Sequence, residues 1–261
     1  MRLNWIDTTT LSFNNLLLLE RVQLSWFPGW VPEEALATAL KANPVVKWYM
    51  HHKCPDITDW LDKVTAHEIT AASTEAVYQA EQEVLQSIND LLVYALDPEI
   101  YDTHEFLRWD SRELLDMVDF SGKTVLDIGA GTGRLAFTVA PFAHAVFAVE
   151  PVSNLRDYMK QKAHRLRVDN IYPVDGLLVD IPFPAGFADV SMGGFVFGTV
   201  PEVECDELER VTEVGGSVIL CPGNVDKHTS AHEVLIKRGY SWSRFEAPGD
   251  GWKRKYWKSI K

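Results

Sequence analysis

The sequence predicts an α/β protein: a doubly wound, mostly parallel sheet that ends in an antiparallel hairpin and follows an N-terminal helical extension. Three observations predict it. From residue 122 onward, short apolar runs alternate with stretches of helical spacing, the pattern of strand–helix–strand units on one sheet. The first of those runs ends in closely spaced glycines, Gly129, Gly131 and Gly133, where a strand gives way to a helix. Before residue 109 the chain reads as helical instead. Composition shifts along with pattern. Residues 1–120 carry 8 Lys and Arg against 20 Asp and Glu, whereas residues 121–261 carry 17 of each. Trp5, Trp26, Trp30, Trp48, Trp60 and Trp109 come early, Trp242, Trp252 and Trp257 come late, and none lies between. The expected division is 1–108 and 109–261.

Pro32, followed by Glu33, Glu34 and an Ala/Leu run to Leu40, starts a helix with proline in its first turn. Pro44 opens a second apolar stretch through Met50, and Thr58–Val64 makes a short third helix. Ser73–Leu96 reads as one long helix, because Val77, Glu81, Val84, Ile88, Leu91 and Ala95 recur at three- and four-residue spacing up to Pro98. Asp110-Ser111-Arg112-Glu113 fits a capping box that starts a helix through Val118. Strands are expected at Lys123–Ile128, Ala145–Val149, Ala188–Met192 and Ser217–Cys221, with helices at Arg134–Val139, Asn154–Arg165 and Cys205–Val211. Ser241–Phe245 and Trp252–Trp257, joined through Pro248-Gly249-Asp250-Gly251, form a hairpin at the sheet edge.

Bulk properties exclude several classes. With 46% hydrophobic and 24% charged residues among 261, the chain is not a disordered one. A net charge of −12 argues against a dominant contact with nucleic acid or an anionic membrane. Cys54, Cys205 and Cys221 are too few and too scattered for a disulfide framework or a zinc cluster, which fits a reducing, cytoplasmic setting. The start holds Asp7 and one basic residue, Leu16–Leu19 is too short for a signal core, and Pro141 and His144 interrupt the longest apolar stretch, so no targeting or spanning segment is expected. His51-His52-Lys53-Cys54 does not read as a metal site, since adjacent histidines on a helix point about a hundred degrees apart. The basic end, Lys253-Arg254-Lys255 with Lys258, reads as a solvated edge strand whose charges alternate faces.

The chemistry lies at Val125-Leu126-Asp127-Ile128-Gly129-Ala130-Gly131-Thr132-Gly133-Arg134. A strand running through glycines into a helix lets the backbone approach a ligand closely and offers free N–H groups. The dinucleotide pattern G-x-G-x-x-G fails because Arg134 occupies its last position, which disfavours nicotinamide redox chemistry. What stands here is D-x-G-x-G-x-G. Downstream come Glu150, 23 residues after Asp127, then Ile181-Pro182-Phe183-Pro184 with Phe187-Ala188-Asp189-Val190, and Glu207-Leu208-Glu209-Arg210-Val211 with Val214-Gly215-Gly216-Ser217. Over roughly residues 110–258 this ordered set resembles the class I S-adenosylmethionine-dependent methyltransferases, and most of all their small-molecule, type 11 branch. The resemblance implies a seven-stranded Rossmann-like sheet. It implies S-adenosylmethionine as cofactor, with S-adenosylhomocysteine as product. The implied cofactor site is Asp127, Gly129, Ala130, Gly131, Gly133, Glu150, Pro151, Gly176, Leu177 and Gly193. Glu150 would accept from both ribose hydroxyls, and Asp127 is either a ligand contact or a structural group bonding loop amides. One position departs: where the family places an aspartate for the adenine amino group, this chain has Leu177. Either Asp175 substitutes or adenine is held by backbone groups and apolar packing.

The acceptor pocket of such a fold lies beyond the carboxyl ends of the strands. Phe195, Phe197 and Asn224 are candidates there, and so are Tyr101 and Trp109 just before the first α/β helix, with His104 as candidate base. The N-terminal helices would form a lid and substrate-recognition region whose acidic character favours a neutral or cationic small-molecule acceptor. Methyl transfer to tRNA or protein, and a non-catalytic methyltransferase-like binding module, are the alternatives.

Overall fold

The helical spacing of the first hundred residues becomes seven α-helices: α1 (Arg21–Ser25), α2 (Glu33–Ala42), α3 (Pro44–Lys53), α4 (Thr58–Thr65), α5 (Thr74–Ser87), α6 (Asn89–Leu96) and α7 (Pro98–Asp102). The structure is a computed structural model that describes residues 5–66, 72–104 and 107–261, and it divides into two units, Met1–Tyr101 and Asp102–Lys261. Local chemistry explains the helix starts. Glu33 and Glu34 occupy the first turn of α2 and Lys41 its last, each at the end where its charge opposes the helix dipole. Ser73 caps α5 by accepting from the Ala76 N–H at 3.2 Å. The apolar faces meet in one core that includes Leu16, Leu24, Phe27, Leu36, Leu40, Met50, Leu61 and Leu85, all fully buried or nearly so.

The expected single helix over 73–96 is broken at Ile88, which leaves helical geometry at φ −109° and ψ 19°. The cause is Asn89. Its buried carboxamide Oδ1 accepts from the main-chain N–H groups of Trp5 (2.9 Å) and Ile6 (3.2 Å), and its Nδ2 donates to the Ile6 carbonyl at 2.8 Å. Three bonds to a segment more than eighty residues away outweigh the continuity of one helix. The apolar spacing runs on through the break, because Ile88 and Leu91 still face the core.

The second unit is a seven-stranded sheet in the order β3-β2-β1-β4-β5-β7-β6. Its strands are β1 (Thr124–Ile128), β2 (Ala145–Val149), β3 (Ile171–Val174), β4 (Ala188–Gly193), β5 (Thr212–Leu220), β6 (Ser241–Ala247) and β7 (Gly251–Ser259). The first five run parallel and β7 pairs antiparallel to both β5 and β6. The helices are α8 (Arg112–Leu115), α9 (Arg134–Val139), α10 (Ser153–Leu166), α11 (Pro201–Val211) and α12 (Ser230–Lys237). Strand alternation sorts them into two layers. Val125, Val146 and Val190 pack with Leu135, Val139 and Met159, while Leu126, Val149 and Val218 pack with Leu208, Val211 and Leu235. The doubly wound class is therefore as read from the pattern.

Three details differ from it. β3 was not separable by its own pattern: it is four residues long, holds Pro173 and has a half-exposed face, which only an edge position tolerates. The helix after Asp110 is a single turn. Its N-cap is Ser111, which makes no side-chain cap bond, so the expected capping box does not form; Asp110 instead accepts from the Arg112 N–H at 3.0 Å, and the chain turns at Asp119, whose Oδ1 accepts from the Ser121 N–H. Finally, β7 is an inner strand and β6 is the edge. Its cations are paired rather than solvated: Lys253 with Asp250 (2.9 Å), Arg254 with Asp226 (2.7 Å), Lys255 with Glu113 (2.8 Å) and Lys258 with Glu209 (2.9 Å). Lys253 is only 3% exposed.

Replacing Asn89 with alanine strands main-chain groups of the segment it holds. Urea denaturation should show the first unit destabilised by about 2–4 kcal/mol, whereas an Asn14→Ala control on the exposed surface should leave the midpoint unchanged.

Candidate cofactor site

The site starts where β1 ends. Ile128 lies beside Val149 of β2 and Gly193 of β4, so three strand ends converge there. The loop then turns back on the sheet: the N–H groups of Gly129 and Ala130 both donate to the Val149 carbonyl, at 2.8 and 3.1 Å. Gly129 has φ +66°, and a Cβ on it would stand 2.5 Å from Val196 Cγ2. Its missing side chain therefore makes room for the loop that follows β4, and Gly193 faces the same valine, with its own Cβ position 2.6 Å from Val196 Cγ1.

Two carboxylates fix the loop. Asp127, 1% exposed, accepts from the Ala136 N–H in the first turn of α9 at 2.9 Å. The amide it bonds belongs to the helix. Burial pushes its carboxyl up to about 7; the Ala136 N–H opposes that shift, and the charge of Glu150 adds to it. Glu150 stands at the end of β2, 6% exposed. Its Oε2 accepts from the Gly131 N–H and its Oε1 from the Val152 N–H, both at 2.9 Å, across Pro151. One side chain so ties the glycine loop to the start of α10.

Sequence reasoning missed two clamps. Arg134, the residue that breaks the dinucleotide pattern, donates from Nε to the Leu107 carbonyl (2.7 Å), from Nη2 to the Trp109 carbonyl and Ser111 Oγ (both 3.0 Å), and from Nη1 to Thr138 Oγ1 (2.9 Å). Its guanidinium also sits 5.1 Å from the Trp109 ring. Asp102 accepts from Lys162 Nζ at 2.7 and 2.8 Å and from the Tyr158 hydroxyl at 2.9 Å. Burial, and then the bond to Asp102, push that phenol up to about 12. Both clamps join residues far apart in sequence, and no local motif marks either.

At the third strand end, Leu177 is 40% exposed and offers no polar side chain. Asp175 is held by Arg156, whose Nη1 donates to Asp175 Oδ1 (2.9 Å) and to the Glu150 carbonyl (2.7 Å). Gly176 packs against Val149 and Pro182. After β4, Phe195 takes φ +58°, is 37% exposed, donates its N–H to the Pro222 carbonyl and faces Lys253 Nζ at 5.7 Å. Phe197 is instead packed in the core, and Asn224 Nδ2 donates to its carbonyl at 3.3 Å. Buried Glu204 pins the rest of the loop by accepting from the N–H groups of Gly198, Thr199 and Val200. Trp109 is buried against Phe245. His104 is half-buried near the start of the second unit, and Tyr101 ends the first, with its ring edge-on to Tyr94 at 5.0 Å. Among the described residues, no group of three His, Cys, Asp or Glu side chains is placed to hold a metal.

A nucleoside with vicinal hydroxyls fits this donor set. It offers an acceptor carboxylate at the end of β2 beside a turn of backbone amides. The hydroxyl of Thr132, in the middle of the loop, is buried and bonds to no other described group, as expected of an atom that a bound ligand or water satisfies. The carboxyl ends of β1, β2 and β4 therefore form a candidate site for an adenosyl-type ligand. Comparison with known proteins names the class. Residues 126–220 match the family model described as a methyltransferase domain. A methyltransferase of Bacillus licheniformis with no assigned substrate is 33% identical over 126 residues, covering 47% of this chain and 57% of that protein. A demethylmenaquinone methyltransferase of Geobacillus is 25% identical over 151 residues, covering 55% and 64%. The matched stretch thus spans less than two thirds of either relative. A crystal structure of an S-adenosylmethionine-dependent methyltransferase from Aquifex aeolicus aligns at 21% identity and a TM-score of 0.49, covering 62% of this chain and 97% of that one. Residues 126–220 of the second unit thus carry the match to the methyltransferase family, whose cofactor is S-adenosylmethionine. No helix among the described residues is long and apolar enough to cross a membrane.

The raised carboxyl of Asp127 gives a pH signature. Its protonated form is favoured by folding, so the contribution is fully present below the unfolded value of 3.8 and is lost as pH rises through about 7. Thermal melts from about pH 5 to about pH 8 should show wild type losing stability relative to Asp127→Asn, which keeps an acceptor for the Ala136 N–H but cannot ionise. Parallel curves would contradict this.

Proposed function

We propose that the chain transfers a methyl group from S-adenosylmethionine to a small-molecule acceptor. The observation that carries this reading is the Glu150 carboxylate, held at the end of β2 by the N–H groups of Gly131 and Val152 beside the glycine loop. Glu150 is assigned to the ribose hydroxyls. Gly129, Ala130, Gly131 and Gly133 form the backbone wall for the methionine part, with Pro151, Gly176, Leu177 and Gly193 around the base and sulfur. Leu177 assigns the adenine to apolar packing and main-chain groups, because Asp175 is engaged by Arg156.

The cofactor supplies a methyl group already activated on a sulfonium. What remains for the protein is to align the acceptor, exclude water and hold charge. Phe195, in the loop after β4, is assigned to offer its face to a cationic or apolar group of the acceptor, and the N–H groups of Gly198, Thr199 and Val200, donating to Glu204, tie that loop to α11. Tyr101, Trp109, Phe197 and Asn224 remain assigned to the acceptor in this reading, Trp109, Phe197 and Asn224 as supports of the walls around it. His104 remains the candidate base for acceptors that must lose a proton. The acidic first hundred residues favour a neutral or cationic acceptor. The cations of β7, each paired with a carboxylate, weaken the case for RNA as substrate.

Calorimetry with S-adenosylhomocysteine tests the cofactor assignment. Glu150→Ala should weaken binding about tenfold to a hundredfold, and Glu150→Gln, which keeps one acceptor oxygen, should fall between. Failure of wild type to bind at millimolar ligand would overturn the reading. Label from the methyl group appearing in macromolecules of an extract, rather than in small metabolites, would reassign the acceptor.

A further inference from the structure

Of the early tryptophans only Trp109 enters the site described above, and two of the others line a cleft. Trp26 follows α1 and Trp30 lies four residues on, at 39% and 37% exposure. Between them Phe27-Pro28-Gly29-Trp30 makes a tight turn: the Trp30 N–H donates to the Phe27 carbonyl at 3.0 Å, and Gly29 sits at φ +78° after Pro28, as a type II turn requires. Phe27 is fully buried and anchors the turn in the core. Trp30 Nε1 donates to the Ser87 carbonyl at 2.8 Å, which fixes the plane of that indole. Trp26, Pro28, Gly29, Trp30 and Asp90 line a cleft of about 360 Å³. Asp90 is half-buried, and its Oδ1 accepts from Trp5 Nε1 at 2.6 Å.

Each feature selects for positive charge. Indole faces attract cations through their quadrupole, and a carboxylate at the same cleft supplies a counter-ion. No basic residue lines the cleft, and residues 1–101 hold six Lys and Arg against fourteen Asp and Glu, so the surrounding field has the same sign. Proline and glycine fix the turn that carries Trp30, so that wall needs less ordering on binding. We propose that the first unit binds an organic cation, an alkylated ammonium group, between Trp26 and Trp30 with Asp90 as its counter-charge. The cleft lies wholly within the first unit, and its occupancy does not depend on methyl transfer.

Choline is the probe, and its neutral isostere, in which a tert-butyl group replaces the trimethylammonium group, is the control. On the full chain, NMR of the indole N–H groups should show two resonances moving with choline and scarcely with the isostere. Trp26→Leu should weaken choline binding about fivefold, the scale of one lost cation–π contact. Asp90→Asn keeps an acceptor for Trp5 and should weaken choline binding while leaving any binding of the isostere unchanged. It also decides the matter if Trp26→Leu does not fold. Equal binding of choline and isostere would reduce the cleft to an apolar notch. Absence of any shift at tens of millimolar choline, or unchanged affinity in both variants, would overturn the proposal outright.

Discussion

A single carboxylate sets the geometry of the second unit's site. The ends of β1 and β2 lie side by side in a parallel sheet, and a parallel sheet leaves its strand-end amides without ladder partners. Glu150 resolves that locally: it belongs to the end of β2 but accepts from Gly131, in the loop after β1. The same side chain accepts from Val152 and so starts α10. Loop, strand end and helix start are therefore one hydrogen-bonded body. Asp127 does the corresponding work one strand over, through Ala136 of α9. Burial raises the proton affinity of Asp127, and the nearby charge of Glu150 adds to it. A fold that keeps both must gain from their placement, since burying charge is costly in itself.

Around this body the chain uses long-range polar clamps rather than further glycine chemistry. Arg134 holds residues 107–111 by three carbonyl and hydroxyl contacts, and Lys162 holds Asp102. Both bring the segment that precedes the fold onto the first turns of the α/β layer. Arg134 also explains why the dinucleotide pattern stops short. The position that a dinucleotide-binding chain gives to glycine, for close packing, is here given to a long side chain that reaches outward. The loss of one close contact is exchanged for a fixed entry segment.

The legible parts of the sequence were those whose signals are local. Strand–helix alternation, the glycine loop and Glu150 each show within a few residues. The helix start at Ser73 follows from capping chemistry and stands where expected, while Pro32 precedes the first turn of α2 rather than lying in it. What sequence did not disclose depends on distant partners. The break at Ile88 is set by Asn89 bonding residues 5 and 6, and hydrophobic spacing runs through it unchanged. The cations of β7 look like a solvated edge until β6 is seen to pair outside them and four carboxylates to meet them. Phe195 and Phe197 are two residues apart and indistinguishable in pattern, yet one is exposed at a left-handed backbone position and the other is core.

The two units then differ in how they carry charge. In the second, acids and bases are equal in number from residue 121 onward, and the cations of β7 are matched one by one. In the first, acids exceed bases by more than two to one, and many stand on exposed helix faces without a basic neighbour in sequence. Unmatched charge of one sign weakens a folded unit through self-repulsion. The first unit tolerates it because its stability rests on an apolar core and on buried amides such as Asn89, neither of which depends on charge. Some of its acids serve the fold, as Glu33 does at the start of α2 and Asp90 toward Trp5, but the excess of charge does not. A surface whose charge is not required for folding is free to be set by what approaches it, and an acidic one set with exposed tryptophans favours cations.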